Sequence, residues 1–186
     1  TRWQGIISNE YRAIDENAAV ILERMDVAVE QVFDRETTEK AIKLLYLIPN
    51  GVRTMSQDIP GLVQSSTNLG VVITTQEQVE FHSAIRSSVG SLKEEIAKET
   101  KYIAEVIGVE AEFQAGYPEW QYNSESKIRN ISCEVYERLT GKKPEIVAIH
   151  AGVECGLFSE KFNDMDMISF GPNLYDVHTP EEHMSI

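Results

Sequence analysis

Hydrophobic positions recur at helical spacing along much of the chain. Trp3, Ile6, Ile7 and Tyr11 predict a helix over residues 1–13, broken by the polar triplet Asp15-Glu16-Asn17. Residues 18–25 form a short apolar run in which Val20, Leu22 and Met25 suit either a strand or a helix. Ala41, Leu44, Leu45 and Ile48 share one face of a helix over residues 36–47, which Pro49-Asn50-Gly51 terminates. The period then shortens. Residues 51–56 read as a strand, and residues 69–74 and 79–85 flank Thr75-Gln76-Glu77-Gln78 as a hairpin. In its second arm Val79, Phe81, Ser83 and Ile85 alternate with Glu80, His82, Ala84 and Arg86, which puts Arg86 on the face opposite Phe81 and Ile85. A helix over residues 91–107 and a strand over residues 109–115 follow.

Helix, strand, strand, helix, strand is a ferredoxin-like α+β sandwich without its first strand. Its helices would cover one sheet face and leave the other for a partner. Gly116-Tyr117-Pro118-Glu119-Trp120 is a composition break and reads as a hinge, after which the pattern changes. A helix over residues 124–139, with Ile128, Ile131, Val135 and Leu139 on its apolar side, ends at Gly141. Two apolar segments, residues 146–149 and 165–170, read as strands buried on both faces, with a helix over residues 153–162 between them. Residues 171–179 read as a loop, and Thr179-Pro180-Glu181-Glu182 as a helix start. This is a piece of a doubly wound α/β layer.

Composition narrows the function classes. Thirty acidic against seventeen basic residues give a net charge of −13 over 186 residues, which leaves no electrostatic footprint for nucleic acid or an anionic membrane. The longest apolar runs are too short to span a bilayer. Cys133 and Cys155 show no paired ligand spacing and read as core residues of a protein in a reducing cytoplasm. The chain opens at Thr1 and stops at Ile186 just after a helix-start signal, so both ends read as cuts inside a longer protein.

Several segments have the residue types of a binding site. In Ile149-His150-Ala151-Gly152-Val153-Glu154-Cys155-Gly156 a strand runs into a helix start. Free N–H groups there suit a carboxylate or phosphate, and Gly152 leaves room for its approach. The alternative is a tight strand–helix turn with a buried Glu154. His178, in the loop after the second apolar strand, suits a metal ligand or a base, or else a cap or surface histidine. Arg86 suits a bidentate grip on a carboxylate, or is an exposed sheet charge. Asn68 is a second site candidate or a turn residue. His82 reads as a half-exposed sheet residue and His183 as a solvated helix residue. No Gly-rich phosphate loop, nucleophile elbow or zinc-protease helix motif is present.

Taken together, the runs Ile48-Pro49-Asn50-Gly51-Val52, Ser66-Thr67-Asn68-Leu69-Gly70, Gly116-Tyr117-Pro118-Glu119-Trp120, His150-Ala151-Gly152-Val153-Glu154-Cys155-Gly156-Leu157-Phe158 and Met165-Asp166-Met167-Ile168-Ser169-Phe170-Gly171-Pro172, with His178-Thr179-Pro180-Glu181, resemble the bacterial aminoacyl-histidine dipeptidases. These are cytosolic two-zinc metallopeptidases of the aminoacylase and carboxypeptidase superfamily. The resemblance covers nearly the whole chain, least well over residues 1–35. It implies that residues 1–118 are the later part of an α+β lid domain, and that residues 119–186 are the C-terminal part of an α/β zinc-peptidase catalytic domain. It implies that His178 is the last metal ligand, that Arg86 holds the substrate's terminal carboxylate and that Gly152 lines the carboxylate pocket. Glu154 would be a site-lining acid and Asn68 a lid-strand position. The other zinc ligands, the bridging aspartate, the general-base glutamate and a lid histidine would precede this chain, leaving the piece inactive alone.

The chemistry implied for the intact enzyme is attack on the peptide carbonyl of a dipeptide by water activated on two zinc ions, or on manganese or cobalt. A homodimer through the lid is implied as well. Two other readings compete: a non-catalytic ferredoxin-like dimerisation or binding module, and a related zinc amidohydrolase such as a deacylase or carboxypeptidase.

Overall fold

The structure is a computed structural model that describes the chain apart from residues 1, 25, 30, 149–152, 163–164 and 186. The chain divides into two compact units, Thr1–Arg35 and Glu36–Ile186. The first holds one helix, α1 (Arg2–Tyr11), closed by turns in which Ile14 and Asp15 donate to the Tyr11 carbonyl. The apolar run after it forms neither helix nor strand over residues 18–24, and Ile21 and Leu22 are exposed. Apolar character alone does not order a segment when no face is available to bury it.

The second unit begins with α2 (Arg35–Leu47), stopped at Pro49-Asn50-Gly51 as its sequence requires. Strands β1 (Gly51–Met55), β2 (Val63–Thr74) and β3 (Val79–Ser87) make an antiparallel sheet in the order β1-β2-β3. The β2–β3 hairpin closes where expected, with the Thr75 N–H donating to the Gln78 carbonyl at 2.9 Å. Helix α3 (Gly90–Ile107) packs on β3 and β2. Its Ile96 and Ala104 are buried, as are Ser65 and Thr67 of β2. Period-two geometry then puts Asn68 on the opposite face of β2, and Arg86 on the opposite face of β3 from Ile85. The expected alternation therefore holds at Arg86. A register shift between Leu69 and Val71 changes the pairing beyond it.

Residues 109–115 are not a strand, contrary to the pattern. An alternating run specifies an extended backbone, but a strand exists only where a neighbour accepts its ladder, and none does so among the described residues. The same correction applies to residues 146–148 and 165–170. Val147 is 66% exposed and Phe170 90%, so these segments are not covered on both faces here. Residue 149 lies outside the described residues.

Helix α4 (Lys127–Thr140) has a built start. Ser126 Oγ accepts the Arg129 N–H at 3.2 Å, and the Asp166 carboxylate accepts the Ile128 N–H at 2.9 Å. Two of the orphan donors of the first turn are thereby satisfied. Gly141, at φ 72°, takes the left-handed conformation that closes the other end. Helix α5 (Glu154–Lys161) follows. The expected helix at residues 179–182 is absent; β4 (Leu174–Tyr175) and β5 (His183–Met184) form a small antiparallel ribbon around a turn. His183 is consequently a strand residue, stacked on the Tyr175 ring at 5.0 Å. Cys133 and Cys155 are free and half-buried rather than core residues.

Candidate functional site

Arg86 and Asn68 come from adjacent strands. Arg86 lies opposite Ser66 in the β2–β3 ladder, and Asn68 lies opposite Ala84, so the two are diagonal neighbours on one outward face. Diagonal pairs stand about 7–8 Å apart, close enough for two side chains to meet one small ligand. Both residues are exposed. Among the described residues, no side-chain hydrogen bond or ion pair engages Arg86, and its guanidinium fork is free. The other polar residues of this β3 face differ in this respect. His82 is bound to Glu80 at 2.8 Å, and Gln78 donates to the same carboxylate. The hydrogen bond from His82, then that from Gln78, holds the Glu80 carboxyl below its ordinary range.

His178 sits in the turn between β4 and β5. Its φ is 65°, a left-handed conformation that costs a side-chain-bearing residue about 1 kcal/mol. The surrounding turn holds it there. The His178 N–H donates to the Glu182 carboxylate at 3.2 Å, and Thr179 gives both its N–H and its hydroxyl to the Asp176 carbonyl. The imidazole is exposed. A cleft of about 1420 Å³ within the second unit has both Arg86 and His178 in its wall, with Ser87, Lys93, Tyr122 and Arg129. Both principal candidates thus border this cleft, whose wall also carries the apolar Leu139, Val147 and Phe170.

Glu154 is placed differently. It is the first residue of α5, exposed at the positive end of that helix, and the cleft wall includes its neighbour Val153 but not Glu154 itself. The alternative of a buried glutamate in a tight turn is thus corrected, because the helix begins at this residue and points it to solvent. Gly152 lies outside the described residues.

Among the described residues, no three or more His, Cys, Asp or Glu side chains are grouped to hold a metal ion. One imidazole does not make a zinc site, which needs three or four protein ligands. The described residues alone do not fit zinc, and no chemical step can be routed through it from them.

Sequence reading missed Lys93, which lines the same cleft and donates to the Tyr117 carbonyl at 3.0 Å. A usable signal existed: it is a basic residue in the first turn of a helix whose first turn has no acid. It also missed the role of Asp166, whose carboxyl is held below its ordinary range by Ser126 first and then by the Ile128 N–H.

No family model matches the chain. The known proteins it is similar to include two dipeptidases. The chain is 37% identical to the cytosol non-specific dipeptidase of Escherichia coli (strain K12) over 99% of its own length. It superposes on the crystal structure of aminoacylhistidine dipeptidase from Vibrio alginolyticus with a TM-score of 0.86, at 35% identity and over 98% of its length. The chain spans 38% of the first relative and 37% of the second. Its fold is therefore that of the matched part of an aminoacylhistidine dipeptidase, and the resemblance read from the motifs is the one these comparisons return. Among the described residues, no helix is long and apolar enough to cross a membrane.

Proposed function

We propose that this chain is part of a cytosolic metallo-dipeptidase that hydrolyses dipeptides, aminoacyl-histidine dipeptides among them. The observation that carries the proposal is Arg86, with Asn68 beside it on the open sheet face and His178 in the wall of the same cleft. A guanidinium without an internal partner on a concave surface suits the terminal carboxylate of a short peptide. Asn68 adds an amide that can donate to the same group or to the peptide carbonyl. Similarity to two dipeptidases supports the reaction class.

In this reading residues 1–118 are lid and residues 119–186 belong to a catalytic domain completed by protein outside this chain. His178 supplies one ligand to a divalent metal centre whose remaining ligands lie there too. A divalent metal held there would supply Lewis-acid chemistry, to which this chain contributes the His178 imidazole. This chain's own task is to hold and orient the substrate and to exclude water when the lid closes. Exposed apolar side chains such as Leu139, Val147 and Phe170 suit a face covered by the rest of the protein. A homodimer through the sheet domain fits the exposed Val71, Val72 and Ile73 of β2.

The test is hydrolysis of β-alanyl-histidine and of an N-acetylated amino acid by the natural full-length protein, with metal content measured alongside. Cleavage of the dipeptide by a metal-loaded protein supports the reading. Cleavage of the acetylated substrate alone moves the protein to the deacylases, and no hydrolysis of either leaves a binding module.

A further inference from the structure

The connection between the sheet half and the later helices of the second unit is gripped from two sides. From the sheet half, Lys93 of α3 places its ammonium 3.0 Å from Glu119 Oε1 and 3.0 Å from the Tyr117 carbonyl oxygen. Both charged side chains are about two-thirds buried, at 30% and 33% exposure. From the other half, Gly156 of α5 is buried against the same segment, and a Cβ at that position would collide with the Pro118 carbonyl oxygen.

Lys93 is in the wrong place for helix stability alone. It occupies the first turn of α3, where a cation opposes the helix dipole, and no acid in that turn offsets it. Glu119 brings a negative charge to Lys93 from outside the helix, in addition to the Glu94 and Glu95 that follow it in α3. Its carboxylate reaches the helix start, where a Cβ on Gly90 would lie 3.6 Å away. Burial pushes the Glu119 carboxyl up, but the hydrogen bond from Lys93, the backbone and the Lys93 charge together outweigh it and hold it below its ordinary range. The two charges meet at 3.0 Å with both side chains mostly buried, and the Lys93 partner lies in the wall of the cleft that holds Arg86 and His178.

We infer that Lys93 is a positioning residue that pins the Tyr117–Glu119 connection to the start of α3 and so fixes the angle between the sheet bearing Arg86 and the later segment bearing His178. The angle matters for catalysis only through the dipeptidase reading, on which that consequence rests; the pin itself does not.

The test is a distance measurement on the natural full-length protein, with no peptide present. Spin labels are placed by Lys101→Cys on α3 and Glu134→Cys on α4 in a background in which Cys133, Cys155 and any other reactive cysteine are replaced by serine, and pulsed dipolar spectroscopy reads the distance distribution. Lys93→Met keeps the aliphatic stem and loses both contacts, and is expected to widen the distribution about twofold. Lys93→Arg is expected to restore the unsubstituted width, which a packing role of the stem would not require. An unchanged width in Lys93→Met overturns the inference, as does equal widening in Lys93→Met and Lys93→Arg. If Lys93→Met loses its helical circular dichroism, Glu119→Gln decides: intermediate widening supports the pin, and none overturns it. Absence of dipeptide hydrolysis by the full-length protein would sink the proposed activity and leave this result standing.

Discussion

Replacing Arg86 with alanine in the full-length protein isolates the carboxylate grip. Arg86 is exposed on the open face of the sheet, and no described residue pairs with it, so its loss strands no buried charge. Folding stability should therefore stay within about 0.5 kcal/mol of the unsubstituted protein. Binding should not. A hydrogen bond to a charged group is worth about 1.5–3 kcal/mol, and about 1.4 kcal/mol is a factor of ten. The expected rise in KM for a dipeptide is therefore about 10- to 150-fold, with solvent exposure favouring the lower end. Arg86→Lys keeps the charge without the planar fork and should recover only part of the loss. The decisive control is a dipeptide amide, which lacks the carboxylate and should be handled equally by the alanine variant and the parent. An unchanged KM for the free dipeptide, or an equal loss on the amide, would refute the assignment.

Three further substitutions probe the scaffold. His178→Gly removes the strain of a left-handed φ, and urea unfolding of this chain should show a gain of about 0.5–1 kcal/mol, while metal content of the full-length protein falls. A gain without loss of metal would refute the ligand role and keep the strain. Gly156→Ala forces a Cβ against the Pro118 carbonyl and should cost about 1–3 kcal/mol in the same unfolding measurement. Asp166 caps α4 with its carboxyl held below its ordinary range, so its contribution is complete above about pH 4 and is lost as pH falls through the lowered value. The protection of the Ile128 amide relative to its intrinsic exchange rate should fall in that acid window, and Asp166→Asn should abolish the change.

Helices α2, α3 and α4 and the β2–β3 hairpin were legible in the sequence because their determinants are local. Apolar residues three and four apart, a serine at the α4 start and glycine at its end suffice to mark a helix. The turn Thr75-Gln76-Glu77-Gln78 closes with its own side chains, since Thr75 Oγ1 accepts from the Glu77 and Gln78 N–H groups. The failures share a non-local cause. Residues 109–115, 146–148 and 165–170 have strand composition, yet a ladder requires a neighbour that composition cannot specify. The motif Thr179-Pro180-Glu181-Glu182 shows the reverse case. Its capping chemistry is present, with Thr179 Oγ1 accepting from Glu181 N–H and Glu182 accepting from His178 N–H. Pairing of His183–Met184 with Leu174–Tyr175 then takes the backbone groups that a helix would have used.

The same distinction separates the candidate site residues. Arg86 could be placed on its face because period-two alternation is a local rule, and Asn68 follows from the hairpin register. That Arg86 and His178 share a cleft depends on how residues 87–177 fold back, which no local rule states. Lys93 escaped notice for a related reason. Its sequence context is an unfavourable helix position, and only the arrival of Glu119 from 26 residues later gives that position a purpose. A charge that violates a local preference therefore marks a tertiary contact worth seeking, because the fold must offset the violation somewhere. In this chain the offset falls on the five-residue connection that the composition break had already marked as a hinge.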